Sequence, residues 1–236
     1  MRRTQIVTAS AMLILVSGAV HAQGRGRGRG RGEEQPQTVT PQEQQQRADE
    51  QRRRDAAYQE ALNNQVRAAQ QAAAALQQQK RAQQYQLHQQ YLANLQQQQE
   101  RLRAQRDVDR DPYYRTPMSY RYRVGDVDRQ TNQYGADILR QAVRYGYEQG
   151  WKAGRADRAD GWRSDYRKSY AYQDANYGYS GAYVAQSDYN YYFRQGFQRG
   201  YEDGYASRNQ YGTVVNGSPS ILSTILSGIL GLTTIR

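Results

Sequence analysis

Hydrophobic and polar positions fall into blocks of different period along this 236-residue chain. The first block, residues 1–22, has the basic pair Arg2 and Arg3, an apolar stretch from Ile6 to Val16, and the small residues Val20 and Ala22 before Gln23. That layout predicts a cleavable export signal. Ser17 and Gly18 interrupt the run, which falls short of the roughly 20 apolar residues that span a bilayer. The mature chain is therefore expected to start at Gln23, in a periplasmic or extracellular compartment.

From Gln42 to Arg110 the chain has no Gly or Pro and is dominated by Gln, Ala, Arg and Leu, with Pro36 and Pro41 before it and Pro112 after. These residues favour helix, and proline just outside each end marks where a helix stops. The reading is a long polar helix or weak coiled coil over 42–111, about 100 Å long if continuous at 1.5 Å per residue. Leu62, Ala69 and Leu76 keep a seven-residue step, but the same frame then meets Gln83, Gln90 and Gln97. No seam persists for the three or four heptads a stable coiled coil needs.

The next block, 112–213, holds the internal repeat. Gly146-Tyr-Glu-Gln-Gly150-Trp-Lys-Ala-Gly154 aligns without gaps on Gly196-Phe-Gln-Arg-Gly200-Tyr-Glu-Asp-Gly204, at an offset of 50 residues, within copies spanning 142–158 and 192–208. A four-residue step keeps each glycine set nearly on one helical face. The aromatics Tyr147 and Trp151 in one copy, and Phe197, Tyr201 and Tyr205 in the other, form a neighbouring stripe. Each Gly inside a helix costs about 1 kcal/mol relative to Ala, so three per copy imply that something approaches the bare face closely. We expect the two glycine faces to pack on each other, or on the same faces of a second copy, with aromatics closing the sides. Charges at Arg144, Glu148, Lys152, Arg199, Glu202 and Asp203 argue against burying these helices in lipid. Between the copies, Asp157 to Tyr192 is rich in Asp, Tyr, Ser and Gly. It reads as a connection whose rings cover a small core, or as aromatic faces offered to sugars or bases.

The last block, 214–236, is apolar. Ile221, Leu222, Ile225, Leu226, Ile229 and Leu230 form one stripe, and Pro219 sits where a helix start tolerates proline. We expect a C-terminal helix that docks on the repeat helices, on a second subunit, or on a membrane surface.

Composition sharpens this picture. Hydrophobic residues are 37% of the chain, with 22 Tyr against 2 Phe and 2 Trp, and mean hydropathy is −1.07. So few aliphatics predict no large globular core. The fold class expected is mainly α with extensive disorder: a long Gln/Ala-rich helix followed by a small Gly/Tyr-rich helical-repeat module. The absence of Cys excludes disulfides, thiolate metal sites and a thiol nucleophile.

The net charge of +11 is unevenly spread. Residues 33–111 carry 11 basic and 11 acidic side chains, whereas the Gly-Arg run contributes Arg25, Arg27, Arg29 and Arg31 without an acid. Gly raises chain entropy and neighbouring Arg residues repel, so 23–41 reads as a disordered Gly-Arg/Pro-Gln arm. Its four guanidinium groups are the candidate anion-binding residues, suited to an envelope polymer or lipid headgroups held weakly; nucleic acid is not expected. His88 is the only histidine after residue 22, too few for a histidine-based zinc site or a convincing triad. No catalytic residue, metal or cofactor is assigned. The functional expectation is an exported, non-enzymatic structural or interaction protein of the cell envelope. Rival readings are a polyanion- or glycan-binding module that uses the arm and exposed tyrosines, and a membrane-associated protein anchored by the C-terminal helix.

Overall fold

The structure, a computed structural model, describes residues 38–103, 107 and 110–235. The expected signal segment and Arg25, Arg27, Arg29 and Arg31 lie outside the described residues. Helix α1, Pro41–Gln78, starts at a capping box. The Glu43 backbone N–H donates to Thr40 Oγ1 at 3.2 Å, and the Thr40 N–H donates to Glu43 Oε2 at 2.8 Å. Two donors that a helix start leaves orphaned are thus satisfied. The stretch assigned to the arm therefore already contributes the cap and first residue of a helix.

Among the described residues, the 42–111 segment forms two helices and not one continuous helix. α1 ends at Gln78, Lys80 turns left-handed at φ 57°, and α2, Ala82–Arg103, runs back along α1. His88 Nε2 meets the Ala69 carbonyl at 2.6 Å, and Gln99 on α2 reaches Asn63 on α1, so the pair is antiparallel. The break has a tertiary cause. Asp160 caps α2 from a distant segment, accepting from the Gln83 and Gln84 N–H groups at 2.9 and 3.0 Å. Arg81 is pinned by Asp157. These contacts offset the roughly 1–2 kcal/mol that a left-handed Lys costs. The break also resets the heptad frame: in α2 the buried positions are Gln84, His88, Tyr91, Leu95 and Gln98.

Strands β1, Tyr120–Val124, and β2, Val127–Thr131, form an antiparallel hairpin with Val124 opposite Val127. Asn132 then caps α3, Gln133–Ala159, by accepting from the Tyr134 N–H at 3.1 Å. A short helix α4, Tyr170–Asp174, lies in the connection to α5, Gln186–Ala206. The chain closes with the hairpin β3, Gly212–Val215, and β4, Ser218–Ile221, then α6, Ser223–Leu230, and β5, Thr233–Thr234. β5 pairs antiparallel with the free side of β1, giving the sheet order β2-β1-β5.

The C-terminal segment differs from the single helix expected there. Asn216 and Gly217 both have positive φ, 51° and 79°, as a two-residue type I′ hairpin requires. Pro219 therefore sits in β4 and α6 has only eight residues.

The described chain is mainly helical, and its core is larger than the aliphatic count implied. A continuous buried cluster runs from Tyr58 on α1 through Leu95, Leu139, Val143 and Phe193 to Leu230 on α6. Tyrosine supplies the missing volume. All 22 tyrosines lie among the described residues, and each is buried or half-buried.

Candidate functional site

The glycine positions converge on one seam between α3 and α5. A Cβ built at Gly146, Gly150 or Gly154 would overlap the carbonyl oxygen of Phe193, Phe197 or Tyr201. Built at Gly196, Gly200 or Gly204, it would overlap those of Val143, Tyr147 or Trp151. All six contacts fall inside the 3.0 Å that real Cβ atoms respect. The partners advance in the same direction along both helices, so α3 and α5 lie parallel, related by the 50-residue offset of the repeat. Backbone meets backbone, a distance only glycine permits. The seam forms within one chain.

The aromatic stripe splits in two. Tyr147, Phe197 and Tyr201 are fully buried, whereas Trp151 and Tyr205 are half-buried. Along α5, Tyr189, Phe193, Phe197, Tyr201 and Tyr205 stack at four-residue steps, with ring centroids 6.0–6.4 Å apart. Buried tyrosine hydroxyls need partners, and aspartates supply two across the seam. The Tyr147 hydroxyl donates to Asp203 on α5 at 2.9 Å, and that of Tyr201 donates to Asp157 on α3 at 2.7 Å. A third pair, Tyr122 and Asp188 at 2.8 Å, ties β1 to α5. These phenols are held well above their ordinary pKa of 10.0, first by burial and then by the adjoining carboxylate. Sequence reading missed these roles of Asp157, Asp188 and Asp203, because each aspartate meets a tyrosine 44–66 residues away on another element and leaves no local signal.

The C-terminal stripe is placed against the chain's own helices. Ile221, Leu226 and Leu230 are buried, Ile225 and Ile229 are half-buried, and Leu222 is exposed at 38%. α6 packs on α3 and α5, and the Tyr192 hydroxyl reaches the Leu230 carbonyl at 3.3 Å. Among the described residues, no helix is long and apolar enough to cross a membrane.

A second arrangement has no counterpart in the expected sites. A cavity of about 360 Å³ lies between the α1–α2 hairpin and the 162–173 connection. Ala72, Ala75, Leu76 and Leu87 give it apolar walls, and Tyr91, Trp162 and Tyr170 give it rings. Its polar wall is deeply buried: Arg81, Gln84, His88 and Gln149 are 3–6% exposed. Arg81 is held by Asp157 and lies over Trp162, 4.5 Å from the ring centroid. Asp157 also accepts from Gln84 Nε2 at 2.7 Å. Among the described residues, no carboxylate lines this cavity. Burial lowers the His88 pKa below its ordinary 6.5, against the opposing effects of the Ala69 carbonyl and Asp174, which keeps the ring neutral at physiological pH. A second groove between α2 and α3 carries Trp151, Lys152 and Arg155, with the Arg155 guanidinium 4.6 Å above the Trp151 ring. No protein-family model matches this chain, and no curated protein or solved structure matches it.

Proposed function

We propose that this chain is an exported, non-enzymatic structural or interaction protein associated with the cell envelope. Its working part is the Gly/Tyr-rich helical-repeat module, braced by the polar helical hairpin. The basic arm bearing Arg25, Arg27, Arg29 and Arg31 attaches it weakly to an anionic polymer or lipid surface. The observation that carries this reading is how the chemistry-bearing groups of the module are spent. Asp157, Asp188 and Asp203 are locked to tyrosine hydroxyls and arginines, and the repeat glycines serve helix contact. Such use of carboxylates supports a rigid presenting body. A folded module behind a basic arm suits scaffolding, where geometry matters more than turnover.

Fractionation of cells expressing the full chain tests this reading. The expected result is a product beginning at Gln23, in the envelope pellet, released by high salt. Replacing Arg25, Arg27, Arg29 and Arg31 by Gln should move it to the soluble exported fraction. A cytosolic product still carrying residues 1–22 would contradict export. Salt-resistant retention, unchanged in the arginine variant, would contradict attachment by the arm.

A further inference from the structure

We propose that the cavity between the α1–α2 hairpin and the 162–173 connection binds one neutral, hydroxyl-rich ring of monosaccharide size, either free or at the end of a glycan. This goes beyond the scaffold reading and stands apart from it, since a scaffold needs no such site.

Three largely buried residues on the cavity wall have polar atoms with no hydrogen-bond partner among the described residues. Gln149 is 3% exposed, yet its side-chain amide makes no hydrogen bond among the described residues. His88, 5% exposed, faces the Ala69 carbonyl through Nε2. Nε2 must then carry the hydrogen, and Nδ1 of the neutral ring is left as an acceptor. Gln84, also 5% exposed, spends its NH2 group on the Ala153 carbonyl and Asp157, leaving its carbonyl oxygen as a second acceptor. Arg81 Nε, on the same wall, is buried without a partner among the described residues, so the cavity offers one committed-charge donor and the acceptors of His88 and Gln84, and an occupant that both donates and accepts answers them together.

That complement must bring hydrogen-bond donors to meet His88 and Gln84. A bare carboxylate or phosphate brings only acceptors. It must also accept or donate at Gln149, as a hydroxyl does. It should carry no net charge, because the Arg81 charge is already answered by Asp157 and a further buried ion would lack a counter-charge. Finally, it needs an apolar face, since Trp162, Tyr170 and Leu76 line the same space. The Tyr170 hydroxyl is committed to the Gln65 carbonyl at 2.8 Å, which leaves its ring as a wall. The polar groups come from two helices, Gln84 and His88 on α2 and Gln149 on α3. The volume, about 360 Å³, lies within the roughly 300–1,000 Å³ range of ligand pockets.

The test uses the full chain. A Trp151→Phe variant leaves Trp162 as the sole tryptophan, so its fluorescence reports on the cavity. Glucose, N-acetylglucosamine and a β-linked disaccharide are titrated, beside benzoate and adenosine. Saturation-transfer NMR on the unsubstituted chain gives a second readout that does not depend on Trp151. The expected result is a saturable response to sugars and none to benzoate. Gln149→Leu, with circular dichroism and melting unchanged, should weaken binding by about tenfold or more, as loss of a buried hydrogen-bonding partner does. Equal affinity for mono- and disaccharide assigns a single free or terminal ring, and tighter disaccharide binding assigns a glycan end. Response to adenosine alone would overturn the proposal in favour of a nucleobase. No saturable response, or sugar binding unchanged in Gln149→Leu, would overturn it outright.

Discussion

Replacing Gly150 or Gly200 by alanine should destabilise the protein severely, while Gly228→Ala should leave it unchanged or slightly more stable. In a helix considered alone, Gly→Ala gains roughly 0.5–1 kcal/mol, because alanine loses less entropy on folding. Gly228 lies in α6, exposed, with nothing within 4 Å of an added Cβ, so it should follow that rule. At Gly150 the added carbon overlaps the Phe197 carbonyl, and at Gly200 the Tyr147 carbonyl. Neither is a side chain that can swing aside. Both helices would have to separate along the whole seam, dislodging the Tyr147–Asp203 and Tyr201–Asp157 bonds. Overpacking a core by side chains alone costs about 1–3 kcal/mol; rigid backbone contacts should reach or exceed the upper end. Against a total stability of roughly 5–15 kcal/mol, the Gly150→Ala/Gly200→Ala double variant is expected not to fold. Thermal melting followed by circular dichroism reads the difference. Equal melting temperatures for Gly150→Ala and Gly228→Ala would mean that the seam is not there.

Raising the pH should unfold the protein in one steep step, in which buried tyrosines ionise and helix is lost together. Eleven tyrosines have phenol pKa values above the ordinary 10.0, burial being the first cause in each, and Tyr192 is pushed to about 12. Eight of the eleven, including Tyr58, Tyr91, Tyr189 and Tyr192, are at most 4% exposed. In the unfolded chain these phenols return to their ordinary pKa and release protons first. Their stabilising contribution is therefore complete below about pH 10 and is lost as pH climbs towards the raised values. Each pH unit in that window costs up to about 1.4 kcal/mol per tyrosine, an upper bound of roughly 10 kcal/mol for the eight. That is on the order of the whole stability. Tyrosinate absorbance and far-ultraviolet circular dichroism, followed together, should show one shared transition above pH 10. Smooth titration of all 22 tyrosines near their ordinary pKa, with helix intact, would show the rings in water instead.

Much of the seam was legible because its signal is local. Glycines at four-residue steps in two copies can hardly be explained on a helix unless another backbone lies against them. The hairpin break was not legible. Nothing in Gln79-Lys80-Arg81 stops a helix; the cap comes from Asp160 and the anchor from Asp157, some 76 residues away. The C-terminal strands were readable in Asn216-Gly217, a strong turn signal, but the apolar stripe of Ile221 to Leu230 outweighed it. The core was underestimated because its size was judged from the aliphatic residues, with tyrosine expected to cover only a small core. With its hydroxyl bonded to a buried aspartate or carbonyl, tyrosine packs much as phenylalanine does. The cavity left no local trace, since Gln84, His88 and Gln149 look like solvent-facing positions until α2 folds back onto α3.

Helices α3 and α5 lie side by side and parallel, and spin-label distances measure that directly. The chain has no cysteine, so labels go only where cysteines are placed. Arg155 on α3, and Ser187 and Ala206 at opposite ends of α5, are all exposed. In the parallel arrangement Arg155 is level with Ala206, while Ser187 lies about 28 Å back along the axis at 1.5 Å per residue. The Arg155→Cys/Ala206→Cys pair should give the short distance and Arg155→Cys/Ser187→Cys the long one. The reverse order, or two broad and equal distributions, would contradict the parallel seam and the tyrosine-aspartate clamps built across it.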